Sequence, residues 1–168
     1  MLKIMRNLTT ILQRQKAIIF VHIFVLVSVV YMCLCNFCVK FFNIPDIKLF
    51  EEPPSLEKYG VILMLVLGVL IAPLLETFLF QKLPYVLLSR IKPIEKRKYI
   101  IVLVAVFLFG LEHLYSLQYM VYAIGVGVML MYAYVISIGR NPFWRVFAIH
   151  AIFNCIVMIT EMLNLFPE

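Results

Sequence analysis

Charge is what this sequence has least of. Only 14% of its 168 residues are Asp, Glu, Lys or Arg, while 64% are hydrophobic and the mean hydropathy is +1.02. Soluble domains carry about 25% charged and about 45–50% apolar residues, so the scarcity excludes a soluble domain and marks an integral membrane protein. The chain also has no internal repeat and no low-complexity tract, which leaves an inverted-repeat transporter without support. No small-x-small cleavage site follows the first apolar run, residues 17–39, which is longer than the ~7–15 residues of a signal-peptide core. A retained transmembrane helix is predicted there. The four cysteines are equally uninformative: Cys33, Cys35 and Cys38 do not share one helical face, and Cys155 is a lone thiol. Zinc sites pair C-x2-C with further ligands elsewhere, so the cysteines are expected to be small apolar residues of lipid-exposed helices.

What is present is a series of long apolar stretches separated by basic ones. The net charge of +6 is not a nucleic-acid signal, because the lysines and arginines flank the apolar runs, where they orient a chain across a bilayer. After residues 17–39 comes a loop over 40–58 with amphipathic character, broken by Pro53-Pro54. Residues 59–88 are apolar except for Glu76, Gln81 and Lys82, with Ala72-Pro73 as an expected kink. Residues 99–138 hold only Glu112 and His113 as ionisable groups, and at 1.5 Å per residue they are long enough for two spans turning near 115–118. The last span is expected over about 146–163. The resulting fold class is all-α: a multi-pass transmembrane helical bundle of about five spans. Basic residues number 4 in 1–16, 6 in 82–98 and 2 at Arg140 and Arg145, against only Lys40, Lys48 and Lys58 on the other side. That asymmetry predicts a cytoplasmic N-terminus.

Against this background a few polar side chains stand out. Glu76 lies in GVILMLVLGVLIAPLLETFLF, His113 in IVLVAVFLFGLEHL, and His150 with Asn154 in FAIHAIFNCIVMI. An ionisable group at the bilayer centre costs about 2.5–3.5 kcal/mol on insertion scales, so each is a functional candidate by default. Residues four apart share a helical face, which pairs Phe109 with His113 and His150 with Asn154. A carboxylate among apolar side chains suits deprotonation of a water, and a histidine can orient that water. A histidine–asparagine pair can donate to the oxyanion of a tetrahedral intermediate. Together they would hydrolyse a peptide bond inside the membrane. Glu112 diverges from His113 by about 100° and is expected to reach headgroups, with a role as partner to His113 as the alternative. His22 is expected to face the bundle, and Trp144 and Arg145 to anchor at the interface. Glu51, Glu52 and Glu57 are expected to be solvated surface charge.

The segments APLLETFLFQ, FGLEH and HAIFN resemble, in order, the three motifs of the CAAX protease and bacteriocin-processing (Abi) family: E-E-x-x-x-R, F-x-x-x-H and H-x-x-x-N or H-x-x-x-D. The resemblance covers about residues 60–160. It implies that Glu76 is the base, that His113 works with it, that His150 and Asn154 form the oxyanion hole, and that Phe109 packs at the second motif. Thr77 and Gln81 stand where the family has its second glutamate and its arginine, an ion pair or a substrate contact. Their joint replacement by neutral groups is consistent with loss of one coupled pair, since a lone buried charge is costly. Phe109, Thr77 and Gln81 are thus the candidate substrate-side residues.

The implied organisation is a basic cytoplasmic N-terminus (1–16), a first span and outer loop (17–58), and a protease-like core (59–165). The implied partners are the lipid bilayer and a hydrophobic or membrane-anchored peptide substrate, with no nucleic acid. No cofactor is expected. The alternative is a zinc hydrolase holding its metal through Glu76, His113 and His150. A second alternative is a catalytically inactive member acting as a bacteriocin immunity or partner-binding protein. The small size points to a bacterial cytoplasmic membrane. One difficulty stands: counted from the basic ends, His113 lies about 20 Å deep and His150 about 10 Å, yet the two must meet.

Overall fold

The computed structural model describes residues 2–50, 60–92 and 98–163. Pro53-Pro54 and the carboxylates Glu51, Glu52 and Glu57 lie outside the described residues. The fold is all-α, built from α1 (Leu2–Arg14), α2 (Ala17–Phe41), α3 (Val61–Leu88), α4 (Lys98–Glu112), α5 (Leu117–Ile136) and α6 (Pro142–Met162). Four of these, α2, α3, α5 and α6, are long and apolar enough to cross a membrane. The protein is an integral membrane protein with several crossings.

The fifth expected span is the short one. The forty residues 99–138 do not divide evenly: α4 has 15 residues and α5 has 20. Fifteen residues reach about 22 Å, less than the ~30 Å of a hydrocarbon core. On its own α4 is therefore too short to cross that core. An extended stretch from the α2–α3 connection pairs with the turn after α4: Leu49 N donates to Tyr115 O at 2.8 Å, and Leu117 N to Ile47 O at 2.9 Å. Lys48 and Ser116 form an isolated antiparallel bridge. The 40–58 connection is amphipathic by sequence, and within it residues 47–50 run extended and pair with the backbone of the α4–α5 turn.

The core is a stripe from each of four helices: Phe20, Phe24 and Met32 of α2, Ile101 and Phe109 of α4, Leu130 and Met131 of α5, and Val146, Ile149 and Phe153 of α6. Helix α3 is reversed in character. It turns Pro73, Thr77, Gln81 and Pro84 inward, and Leu70, Leu75 and Leu79 outward. A hydrocarbon solvent accepts such a helix, because lipid tails are as apolar as leucine and give no drive to bury it. On α2 the buried set Phe20, Val21, Phe24, Ser28 and Met32 fixes the phase. His22 falls off that stripe and is exposed, contrary to expectation, with its ring bonded to the Ile18 carbonyl at 2.7 Å. Trp144 stays outward, but Arg145 turns in, its guanidinium 5.1 Å from the Phe20 ring centre.

Helix α3 is not uniformly α. Two π-helical stretches, Val66–Ile71 and Thr77–Lys82, alternate with α turns. Each precedes a proline, Pro73 or Pro84. In an α-helix, Pro73 would crowd the carbonyl four residues back. Widening to i→i+5 bonding relieves this, as Ala72 N bonding to Leu67 O shows. The widening has one cost. The i+5 partner of the Gly68 carbonyl is the nitrogen of Pro73, which has no hydrogen to give.

Candidate active site

Glu76 sits in the short α turn Ala72–Glu76, between the two π stretches. It lies about 18 Å from the Leu88 end of α3 and faces α4 and α6. Its Oε2 is 3.6 Å from His150 Nε2 and 4.0 Å from His113 Nε2. Three helices thus bring one carboxylate and two imidazoles to a single point. The depth difficulty does not arise in the structure: both imidazoles reach the same carboxylate oxygen, which a stagger or tilt between α4 and α6 allows.

The ring of His113 is held by its own helix. The last carbonyls of α4 have no partners within the helix, and His113 Nδ1 donates to one of them, Phe109 O, at 2.7 Å. A carbonyl only accepts, so Nδ1 carries the hydrogen, and in the neutral ring Nε2 is left as an acceptor pointing at Glu76. Phe109 packs against both imidazoles, with ring centres 4.5 Å from His113 and 5.9 Å from His150, and is backed by Phe80 at 5.7 Å. His150 is almost fully buried, and its Nδ1 has no hydrogen-bond partner among the described residues.

Asn154 lies one turn beyond His150 on α6. Its Nδ2 donates to Gly68 O at 2.9 Å, the carbonyl that Pro73 leaves without a helical partner. Asn154 thereby repairs α3 and ties it to α6 beside the site. Leaving that carbonyl unbonded costs about 1–3 kcal/mol, so Asn154→Ala should lower stability by that order. Pro73→Ala restores a backbone hydrogen to α3, and the loss in the double variant should be smaller than in Asn154→Ala alone. Thermal unfolding of the four proteins in detergent measures this, and equal losses in both backgrounds would refute the coupling.

The three candidate substrate-side residues are all buried: Thr77 at 0%, Gln81 at 1% and Phe109 at 1% relative exposure. Thr77 Oγ1 and Gln81 Oε1 have no hydrogen-bond partner among the described residues. Glu112 is exposed at the end of α4. Among the described residues no group of three His, Cys, Asp or Glu side chains has the arrangement of a metal site. The four cysteines are unpaired, with Cys33 and Cys38 exposed. Two features had no signal in the sequence. One is the pairing of Gly68 with Asn154. The other is Tyr119, whose ring centre lies 5.5 Å from that of His113 across the α4–α5 turn.

Residues 58–156 match the family described as Rce1-like, type II CAAX prenyl endopeptidase. This stretch is more than half of the chain and includes Glu76, His113, His150 and Asn154. The chain belongs to the Rce1-like family. No curated protein matches it, and no solved structure does either. Membership of the Rce1-like family makes it a relative of membrane-embedded endopeptidases, and the polar residues that the three helices carry all fall within the matched stretch.

Proposed function

We propose that the protein is an intramembrane endopeptidase acting on membrane-associated peptides or proteins, with Glu76 as the base. The observation that carries this is the position of Glu76 Oε2 opposite the Nε2 atoms of two histidines on two other helices. Separations of 3.6 and 4.0 Å are too long for direct hydrogen bonds and suit a shared water. Glu76 and the acceptor nitrogen of His113 can each take one hydrogen of such a water, which aims its lone pair away from both.

The water oxygen then attacks the peptide carbonyl carbon while its proton passes to Glu76. The negative charge gathers on the carbonyl oxygen, which His150 Nε2–H and the second amide hydrogen of Asn154 are suited to receive. Collapse breaks the C–N bond, and the proton held by Glu76 goes to the leaving nitrogen. Water has been added across the bond, and the carboxylate is restored. His150 is thus assigned a donor role, Asn154 a double role in structure and catalysis, and Phe109 a positioning role toward both rings. Thr77 and Gln81 are read as a neutral buried pair in place of a coupled charged one.

The test is cleavage of quenched-fluorescent hydrophobic peptides by the detergent-purified protein, beside Glu76→Gln, with and without chelator. Cleavage by the wild type that survives chelation and is lost in Glu76→Gln supports the metal-free mechanism. Loss on chelation and recovery with zinc would transfer Glu76, His113 and His150 to metal ligation. Full activity in Glu76→Gln would remove it as base.

A further inference from the structure

A cavity lies beside the candidate site. It has a volume of about 790 Å³ and is bounded by the C-terminal half of α2, residues 44–47, the start of α5 and the end of α6. Its deeper wall is apolar, including Met32 and Val157. Two carboxylates line it, Asp46 and Glu161, and both residues are exposed. Among the described residues that line it there is no lysine or arginine. Tyr119 and Tyr122 form a further part of the wall, with their rings stacked at 6.3 Å. Tyr119 also lies against His113, so the cavity and the candidate catalytic centre share one side chain.

Each part of this wall selects the same kind of ligand. The apolar floor takes aliphatic or aromatic groups. Two carboxylates without a basic neighbour in the lining favour a cation, and tyrosine faces attract one through the ring quadrupole. The volume lies in the upper part of the range for ligand sites, about 300–1,000 Å³, enough for several side chains. We propose that this cavity binds the part of the substrate that flanks the cleaved bond, and that it takes an apolar peptide segment bearing one lysine or arginine, whose charge sits between Asp46, Glu161 and the two tyrosines. The proposal rests on the endopeptidase reading for the nature of its occupant and extends it to a substrate class.

Binding can be measured apart from cleavage. The probe is a set of fluorescein-labelled apolar peptides with a single lysine moved along the chain, each matched by a peptide with uncharged norleucine at that position. Fluorescence anisotropy on the detergent-purified Glu76→Gln protein reads their affinities. At one register the lysine peptide should bind at least tenfold more tightly, and the ratio should fall below threefold in a protein that also carries Asp46→Asn and Glu161→Gln. Equal binding at every register would overturn the proposal, as would a preference that survives loss of both carboxylates. Displacement by a phosphocholine detergent with no lysine preference would assign the cavity to a lipid headgroup and overturn it as well. Wild-type cleavage is scored separately. Selective binding without cleavage keeps the subsite and removes the peptidase reading; cleavage without lysine preference does the reverse.

Discussion

Glu76→Gln is expected to lower the cleavage rate by about 10²–10⁴-fold, the usual contribution of a positioned general base. Glutamine keeps the length and shape of the side chain but cannot take a proton from water. Folding should survive, because among the described residues Glu76 is paired only with two histidines at 3.6 and 4.0 Å, beyond good hydrogen-bond distance. The check is single-turnover cleavage beside thermal unfolding of both proteins. An unchanged melting temperature with lost cleavage isolates the chemical role. A parallel loss of stability and rate would show that the carboxylate is structural, as an interhelical polar contact in lipid can be.

The second large effect is expected at Phe109, and it acts through packing. The ring is buried and touches His113, His150 and Phe80. In water, truncating such a residue costs both a transfer term and a cavity term. Inside a bilayer the transfer term shrinks, because lipid is as apolar as the core. The cavity term remains at about 24 cal/mol per Å³, and for a void on the order of 100 Å³ it puts Phe109→Ala at about 2–3 kcal/mol. Both imidazoles then lose the surface that fixes their ring planes, so cleavage should fall by about tenfold or more, since catalysis depends on such positioning. Phe109→Leu refills most of the volume and should recover most of the stability. Unfolding and cleavage assays on both variants separate the two contributions. Full activity in Phe109→Ala would refute the positioning role.

The parts of this protein that could be read from the sequence are those where a bilayer makes the rules strict. Apolar runs of sufficient length locate the helices, because unpaired backbone in lipid is too costly to allow much else. Glu76, His113, His150 and Asn154 are conspicuous because lipid tolerates so few polar side chains, and the structure brings the first three of them to one point. Features decided by phase or by partners were not legible. His22 faces outward because Phe20 and Phe24 set the rotation of α2, and hydrophobicity alone does not rank the faces of a helix that is apolar all round. The paired extended form of residues 47–50 depends on a turn formed by Tyr115–Leu117, far along the chain. The bond from Asn154 to Gly68 exists only because α3 winds as π before Pro73, and that winding leaves no mark in the sequence beyond the proline.

The mixed winding of α3 also makes its three central stretches unequal in the face of a deletion. A π stretch holds a surplus residue relative to an α-helix of the same course. Removing one residue from Val66–Ile71 can be absorbed by a return to α winding there, leaving the chain on either side in its old orientation. The turn Ala72–Glu76 has no surplus. A residue lost from it must be made up by the rest of the helix, and Glu76 would swing by about 100° about the axis, away from both histidines. The stretches with the greatest freedom to change length thus directly adjoin the one with none.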